Sequence, residues 1–169
     1  IRVGGYDSTG TGWLDVTIHD AMGAVVNCFA PPNDDCVSAT AIDLPAVQGA
    51  HTAWATSAGP IHGECAPQQA FKDVWYEVTA DCTGTLVAAS CAGWGTFTPE
   101  LFIYGGTCDA LVLLSCSTQA DECDGGGATA TASVIEGETY LIRLGGETPA
   151  DDGEIFFIAT CVPTQCAAD

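Results

Sequence analysis

Positive charge is almost absent from this sequence. Only Arg2, Lys72 and Arg143 oppose 22 Asp and Glu residues, which gives a formal net charge of −19 over 169 residues. Nucleic-acid binding depends on Lys and Arg side chains that neutralise phosphates, and anionic membranes attract the same side chains. The charge therefore argues against both partners. It predicts either a soluble, self-repelling surface or cations bound between repeats or subunits.

Long apolar runs and helical periodicity are also lacking. The longest apolar runs, such as LVLL (111–114) and IFFIA (155–159), are far shorter than the roughly 20 residues of a membrane span. We therefore expect no membrane insertion. No signal-peptide pattern occurs in these residues, so the signal of an exported protein would lie outside them or have been removed. With 20 Gly and 8 Pro along the chain, no stretch supports an amphipathic helix.

Sequence motifs of catalysis are missing too. The chain has no G-x-S-x-G, H-E-x-x-H or phosphate-loop motif, and no nucleophile–base set can be assembled from it. His62 lies close to Glu64 and Cys65, but a zinc site needs three or four well-spaced ligands. We interpret His62 as a surface-loop histidine and predict a protein that is not an enzyme and has no cofactor.

Cysteine, in contrast, is abundant. Ten cysteines without any C-x-x-C pair favour disulfides over zinc and an extracellular or cell-surface location. Cys108 and Cys116 flank the short segment DALVLLS and form the best single candidate pair. Sequence alone cannot fix the connectivity, and the other candidate pairs are Cys36–Cys65, Cys82–Cys161 and Cys91–Cys123.

Short β-rich runs separated by turn residues dominate the remaining sequence. We predict strands at 74–80, 85–90, 100–105, 111–116, 128–135, 139–145 and 154–161, with weaker candidates at 40–44 and 50–56. The EGE turn at 136–138 predicts a hairpin between two of these strands. The pattern indicates an all-β, antiparallel β-sandwich or jelly roll.

The first 18 residues resemble a later part of the same chain. Ile1 matches Ile142 and Gly12 matches Gly153 without a gap, at a constant offset of 141 residues. Residues 1–18 alternate like a closing β-hairpin with a face that needs burial, and a lone hairpin is marginal in water. We expect it to complete the open sheet edge of a preceding repeat or a neighbouring subunit. The residues that would form this assembly hairpin are Ile1, Val3, Trp13, Leu14, Val16 and Ile18.

The repeat predicts a domain order. Residues 19–32, with APP before NDDC, form a linker, residues 33–161 a complete sandwich, and residues 162–169 the start of a next linker. Either the chain is part of a tandem polypeptide or separate subunits donate the hairpin to one another.

Several motifs together resemble a known family. NDDC-x-x-A-x-x-I, DVWYEVTADCTGTL, AASC, LFIYGGTC, LLSC and VIEGETYLIRLGG lie within residues 33–161. They resemble a bacterial extracellular β-sandwich repeat of planctomycete-type secreted and surface proteins, similar to pre-peptidase C-terminal domains. The resemblance implies a jelly-roll-like, non-catalytic module that occurs in tandem. Many relatives carry Asn-Asp-Asp after the cysteine that Cys116 matches, where this chain has STQADEC.

Two kinds of ligand remain to be considered. Acidic loops offer weak calcium candidates, and these are Asp121, Glu122, Asp124, Asp151 and Asp152. For sugar stacking, Trp94 in CAGWGTF has the most loop-like context, whereas Trp54 and Trp75 are expected to be buried.

These observations support two hypotheses of function. The first is a structural repeat of an extracellular filament or filament-like surface protein, assembling head-to-tail with copies of itself through residues 1–18. The second is a non-catalytic module of a secreted enzyme or adhesin that binds a glycan or a protein.

Overall fold

The computed structural model describes residues 18–19, 25–26, 30–65, 69–91, 93, 95–117 and 126–164. These residues form β-strands and connecting loops, with a turn of 3-10 helix at Cys36–Ser38 and no α-helix among them. The strands are β1 (Ile18–His19), β2 (Val25–Val26), β3 (Thr40–Ile42), β4 (Ala46–His51), β5 (Phe71–Thr79), β6 (Gly84–Cys91), β7 (Pro99–Thr107), β8 (Ala110–Ser117), β9 (Gly127–Val134), β10 (Thr139–Gly146) and β11 (Glu154–Pro163).

Strands β3 to β11 form two sheets. One has five strands in the order β3-β5-β10-β7-β8, and the other has four in the order β4-β11-β6-β9. All pairings in these sheets are antiparallel except the parallel pairing of β3 with β5. From β4 to β11 the strands have jelly-roll connectivity, in which most connections cross between sheets. The predicted fold class is confirmed.

The main core lies between the two sheets. Side chains alternate along each strand, so every second residue faces the opposite sheet. The five-stranded sheet contributes large side chains such as Tyr76 and Ile142, while the four-stranded sheet contributes Phe157 together with small alanines such as Ala88 and Ala130. Tyr76 and Phe157 are in ring contact across the core, at 4.8 Å between centroids. Each fully buried large side chain stabilises the fold by about 1.5–3 kcal/mol.

A second cluster covers the outer face of the five-stranded sheet. Trp75, Phe102, Tyr104 and Leu141 pack there with Cys65. The long connection between β4 and β5 lies over this cluster, and two disulfides attach the covering segments to the β7–β8 hairpin: Cys36–Cys108 and Cys65–Cys116.

Two of the predicted disulfide pairs are wrong, Cys108–Cys116 and Cys36–Cys65. Cys108 lies in the turn between Thr107 and Ala110, whereas Cys116 pairs with Phe102 near the far end of β8. An extended strand rises about 3.4 Å per residue, so these two cysteines are much farther apart than the roughly 7 Å that a disulfide spans. The cysteines instead bond to the two segments that cover the sheet.

The predicted Cys82–Cys161 pair is confirmed, with a Cα–Cα distance of 6.0 Å. Cys91 is disulfide-bonded as well. Its predicted partner, Cys123, lies outside the described residues, so this pairing stays a prediction.

The hairpin predicted around EGE is wrong. Strand β9 pairs with β6 in the four-stranded sheet, and β10 pairs with β5 and β7 in the five-stranded sheet. The turn therefore carries the chain from one sheet to the other. Residues 142–159 are not a hairpin either, because β10 and β11 belong to different sheets and are joined through the corner at 147–153.

The predicted strand at 50–56 is displaced to β4, Ala46–His51. The chain turns directly after it, where the Ala55 N–H donates to the Thr52 oxygen at 3.0 Å. Trp54 has a left-handed backbone (φ 70°) in this turn. No Gly or Pro marks the turn in the sequence.

Within the stretches predicted as hairpin and linker, β1 pairs with β2, with Ile18 opposite Val26. The other assembly residues, Ile1, Val3, Trp13, Leu14 and Val16, lie outside the described residues. Their role stays a prediction, and so does the domain order built on them.

Candidate functional site

A buried ion pair lies on the outer face of the five-stranded sheet. Asp73 is on β5, and Arg143 on β10 lies opposite Trp75 in the strand register. Arg143 Nε donates to Asp73 Oδ2 at 2.8 Å, and Arg143 Nη2 donates to Oδ1 at 3.2 Å. Both side chains are at most 1% exposed. Bidentate pairing of this kind gives Arg143 a fixed orientation.

The segment over the sheet accepts further hydrogen bonds from the guanidinium. Arg143 Nη1 donates to the Pro60 oxygen at 2.7 Å, and Nη2 donates to the Ala70 oxygen at 3.2 Å. The Trp75 and Phe102 rings lie 5.6 and 5.4 Å from the guanidinium carbon, which is cation–π distance. The loop and the sheet are thus joined through one side chain.

The electrostatics of the pair follow from its burial. Burial by itself lowers the pKa of Arg143, but the hydrogen bonds and the charge of Asp73 outweigh it, so the pKa is raised. Burial raises the pKa of Asp73, while the Arg143 guanidinium counteracts the shift. Because the bidentate hydrogen bonds bring the two opposite charges together, Asp73 and Arg143 form an ion pair at neutral pH.

The NDDC segment also has a structural role. Asn33 Nδ2 donates to the Trp75 oxygen at 2.9 Å, and the Trp75 N–H donates to the Asn33 oxygen at 2.8 Å. Asp34 Oδ1 accepts the Thr56 N–H at 2.6 Å, and Cys36 carries the disulfide to Cys108. The residues that carry the family resemblance therefore build the scaffold.

Two grooves on the surface are candidates for a ligand site. The larger, the acidic groove, has a volume of about 280 Å³. Its polar lining consists of Asp34, Asp35 and Asp109, and Val37 at its rim is 80% exposed. Trp75 lines the groove but is only 2% exposed, so its ring offers little surface to a ligand.

The smaller groove, which we call the Phe156 groove, lies along β4 and β11 and has a volume of about 210 Å³. It is lined by Gly49, Ala50, His51, Glu154, Ile155 and Phe156. Strand register places Gly49 opposite Phe156 and His51 opposite Glu154. The groove therefore combines an aromatic ring with an imidazole and a carboxylate on neighbouring strands.

Phe156 is presented as an exposed ring. Three of its ring atoms lie 3.3–3.9 Å from the place that a Cβ atom would take at Gly49, so the ring occupies the space that glycine leaves open. Its side chain is nevertheless 52% exposed. The Ser90 hydroxyl donates to the Phe156 oxygen at 2.7 Å and holds the backbone of β11 in place.

The sequence did not single out Phe156. Alternation along β11 places Ile155 and Phe157 in the core, and it could have indicated that Phe156 faces outward. An apolar residue in a strand is normally taken for a core residue, however, and the glycine opposite it became visible only with the strand register.

The predicted aromatic and histidine sites have mixed outcomes. Trp94, the sugar-stacking candidate, lies outside the described residues. Trp75 is buried as expected, but Trp54 is 53% exposed, so its predicted burial is wrong. His62 lies in the β4–β5 loop but is half-buried and not freely exposed, because its side chain is 15% exposed and its Nε2 lies 3.0 Å from the Tyr104 hydroxyl. Burial lowers the pKa of His62, with Glu64 opposing the shift.

The weak calcium candidates in the described part of the chain already have protein partners. Asp151 Oδ2 accepts the Thr148 N–H at 2.7 Å, and Asp152 Oδ2 lies 2.5 Å from Lys72 Nζ. Asp121, Glu122 and Asp124 lie outside the described residues, and calcium binding there stays a prediction.

The fold defines the class of protein: a disulfide-linked jelly-roll module. A family model described as galactose binding domain-like and T9SS-associated matches residues 32–157, about three quarters of the chain. The chain belongs to this family, whose description is that of a binding domain. The expected similarity to pre-peptidase C-terminal domains is not part of this description and stays a prediction.

No curated protein matches the chain. Among the residues that the structure describes, no helix is long and apolar enough to span a membrane. The T9SS-associated family and the disulfides indicate a secreted or extracellular protein.

Proposed function

We propose that this chain is a non-catalytic carbohydrate-binding module of a secreted protein and that the Phe156 groove is its binding site. The observation that carries the proposal is the half-exposed Phe156 ring beside Gly49, with His51 and Glu154 on the same two strands. Membership of the galactose binding domain-like family supports it.

The groove has the chemistry that a sugar requires. The C–H face of a sugar ring packs on an exposed aromatic ring, and its hydroxyl groups need a few polar partners close by. The Glu154 carboxylate accepts hydrogen bonds, and the ring nitrogens of His51 can donate or accept them. The acidic groove is a poorer candidate because its polar lining is all carboxylate and its aromatic residue is buried.

The net charge of the chain narrows the class of sugar that we expect it to bind. At a formal charge of −19 the module repels anionic polysaccharides. We therefore expect a neutral sugar, and galactose and galactose-containing oligosaccharides are the first probes.

Titration of the full chain with these sugars, followed by calorimetry and NMR chemical shifts, tests the proposal. We expect Phe156→Ala to weaken binding about tenfold or more, equivalent to about 1.4 kcal/mol. Trp54→Ala is the matched control, because Trp54 is equally exposed but does not line the groove.

Unchanged affinity in Phe156→Ala would refute the Phe156 groove as the site. If Trp94→Ala alone abolished binding, the sugar site would lie at the Trp94 loop. Absence of binding to any neutral glycan on an array would refute carbohydrate binding.

A second candidate function is the repeat unit of an extracellular filament or filament-like surface protein. Residues 1–18 match 142–159, which in this sandwich include the end of β10 and the first part of β11. Each is an inside strand, β10 between β5 and β7 and β11 between β4 and β6. Residues 1–18 therefore suit a second sandwich that lacks its own β10 and β11. They do not suit an open sheet edge, because the strands that they match lie inside the sheets.

This placement favours a tandem polypeptide over exchange between separate subunits. In another copy of the 33–161 sandwich, both inside positions are already filled by its own β10 and β11. In a tandem chain, residues 1–18 would be the last strands of the preceding unit, at the spacing of 141 residues.

Experiments on the protein from its native source distinguish a tandem polypeptide from separate subunits. A tandem protein runs far above 17.3 kDa on a denaturing, reducing gel, whereas separate subunits run near that mass. Negative-stain microscopy should show fibres with a regular axial repeat. Isolated monomers in native material, or normal assembly after deletion of residues 1–18, would contradict assembly through this segment.

A further inference from the structure

Glu100 is a buried carboxyl group without a hydrogen-bond partner among the described residues. It is the second residue of β7, its side chain is 0% exposed, and neither Oε1 nor Oε2 has a hydrogen-bond partner in the structure as described. Buried polar groups are normally hydrogen-bonded, and an ionised carboxylate in such a place is strongly unfavourable. The group therefore calls for a partner that the described residues do not supply.

The chain has no spare cation for Glu100 in its described part. Lys72 Nζ lies 2.5 Å from Asp152 Oδ2, and Arg143 is bound to Asp73. Arg2, the third cationic side chain, lies outside the described residues. Neither described cation is free to compensate Glu100.

A second carboxylate, Glu147, adds to the negative charge. The Glu147 N–H donates to the Thr98 oxygen at 3.3 Å, two residues before Glu100. Burial, and to a smaller extent the charge of Glu147, raise the pKa of Glu100 to about 9. Glu147 itself is half-buried.

A proton alone does not satisfy this arrangement. Protonation removes the charge of Glu100, but the new O–H still lacks an acceptor and the other oxygen still lacks a donor among the described residues. A metal ion both compensates the charge and engages the two oxygens.

We propose that Glu100 and Glu147 bind a divalent cation of the calcium type at the beginning of β7. Calcium prefers oxygen ligands, accepts bidentate carboxylates and tolerates irregular geometry, and extracellular modules bind it at about 0.1–1 mM. Zinc and copper are less suited because they favour nitrogen and sulfur ligands, and both named side chains are carboxylates. The site is separate from the Phe156 groove, so its test is independent of sugar binding.

The experiment uses the purified full chain after treatment with a chelator. Melting temperature and heat of binding are measured with added CaCl₂ and, separately, MgCl₂. We expect calcium to raise the melting temperature of the wild type with a dissociation constant of about 0.1–1 mM, and magnesium to act more weakly.

Glu100→Gln keeps the shape of the side chain but removes its charge, and we expect it to abolish the calcium-dependent shift. Glu138→Gln, at the exposed turn before β10, is the matched control and should respond like the wild type. Glu147→Gln should weaken calcium binding about tenfold, and it tests the same site if Glu100→Gln does not fold.

Two results would overturn the inference. A wild type that binds no calcium by calorimetry would show that Glu100 is held neutral by a proton. An undiminished calcium response in Glu100→Gln or in Glu147→Gln would place the ion at other carboxylates.

Discussion

Arg143 and Glu100 are both completely buried, yet of the two only Arg143 has a counter-charge among the residues that the structure describes. The sequence identified Asp73, Trp75 and Arg143 as parts of two motifs. It could not show that these motifs meet, because strand register brings together residues far apart in the chain. Glu100 gave no signal in the sequence, since a single acidic residue at the beginning of a strand is usually solvated.

Removing one partner of the buried ion pair should be strongly destabilising. Arg143→Met leaves Asp73 buried without its counter-charge, and we expect a loss of about 3–5 kcal/mol in the free energy of unfolding. Urea denaturation under non-reducing conditions measures it. The double variant Arg143→Met/Asp73→Leu should be less destabilised than the sum of the single variants, and an additive result would argue against direct coupling.

Glu100 predicts a dependence of stability on pH in the absence of metal. Its pKa of about 9 in the folded state lies above the ordinary value of 4.5, so the folded state holds a proton that the unfolded state has lost. This contribution to stability is complete below pH 4.5 and decreases as pH rises towards 9.

Glu100→Gln should remove this decrease, so that its stability relative to the wild type grows with pH. Thermal unfolding in chelator across this range measures the difference between the two proteins. Parallel pH profiles would contradict a buried, metal-free carboxyl at this position.

At the scale of secondary structure, the turn residues revealed where strands end but not which strands pair. The turn sequence GGTCD covers the end of β7 and the turn to β8, and these two strands form a true hairpin. EGE lies between β9 and β10, which belong to different sheets. Both signals mark a change of direction. Pairing and disulfide connectivity depend on which faces are buried together, and local sequence does not encode that.

The β4–β5 loop offers a test of its contact with Arg143. A Cβ atom at Gly59 would collide with the Arg143 guanidinium, whereas one at Gly63 in the same loop would have no atom within 4 Å. We expect Gly59→Ala to destabilise the protein by about 1–3 kcal/mol, the usual cost of overpacking. Gly63→Ala is the control, and equal melting temperatures for the two variants would contradict the contact.

For the whole molecule, the sequence correctly predicted an all-β jelly roll and an oxidising environment, because alternating apolar strands and abundant cysteines are properties of the chain as a whole. The Phe156 groove could not be predicted, since it depends on Gly49 and Phe156 lying opposite each other on β4 and β11.

The net charge of −19 should make stability dependent on salt. Raising NaCl from about 0.01 M to about 1 M shortens the Debye length from about 30 Å to about 3 Å and screens the self-repulsion of the folded state. In chelator, we expect stabilisation on the order of 1 kcal/mol, or a rise of about 2–4 °C in melting temperature. A constant or falling melting temperature would show that repulsion between the negative charges does not significantly destabilise the folded state.

The inside positions of β10 and β11 also determine when the domain can fold. Without them, the five-stranded sheet is divided into β3-β5 and β7-β8, and β4 is separated from β6-β9. The last strands to leave the ribosome are therefore the ones that join both sheets, and native structure must wait until nearly the whole unit has been synthesised. We expect a unit with this topology to stay incompletely folded until β11 has emerged, a state that suits translocation through a narrow export channel.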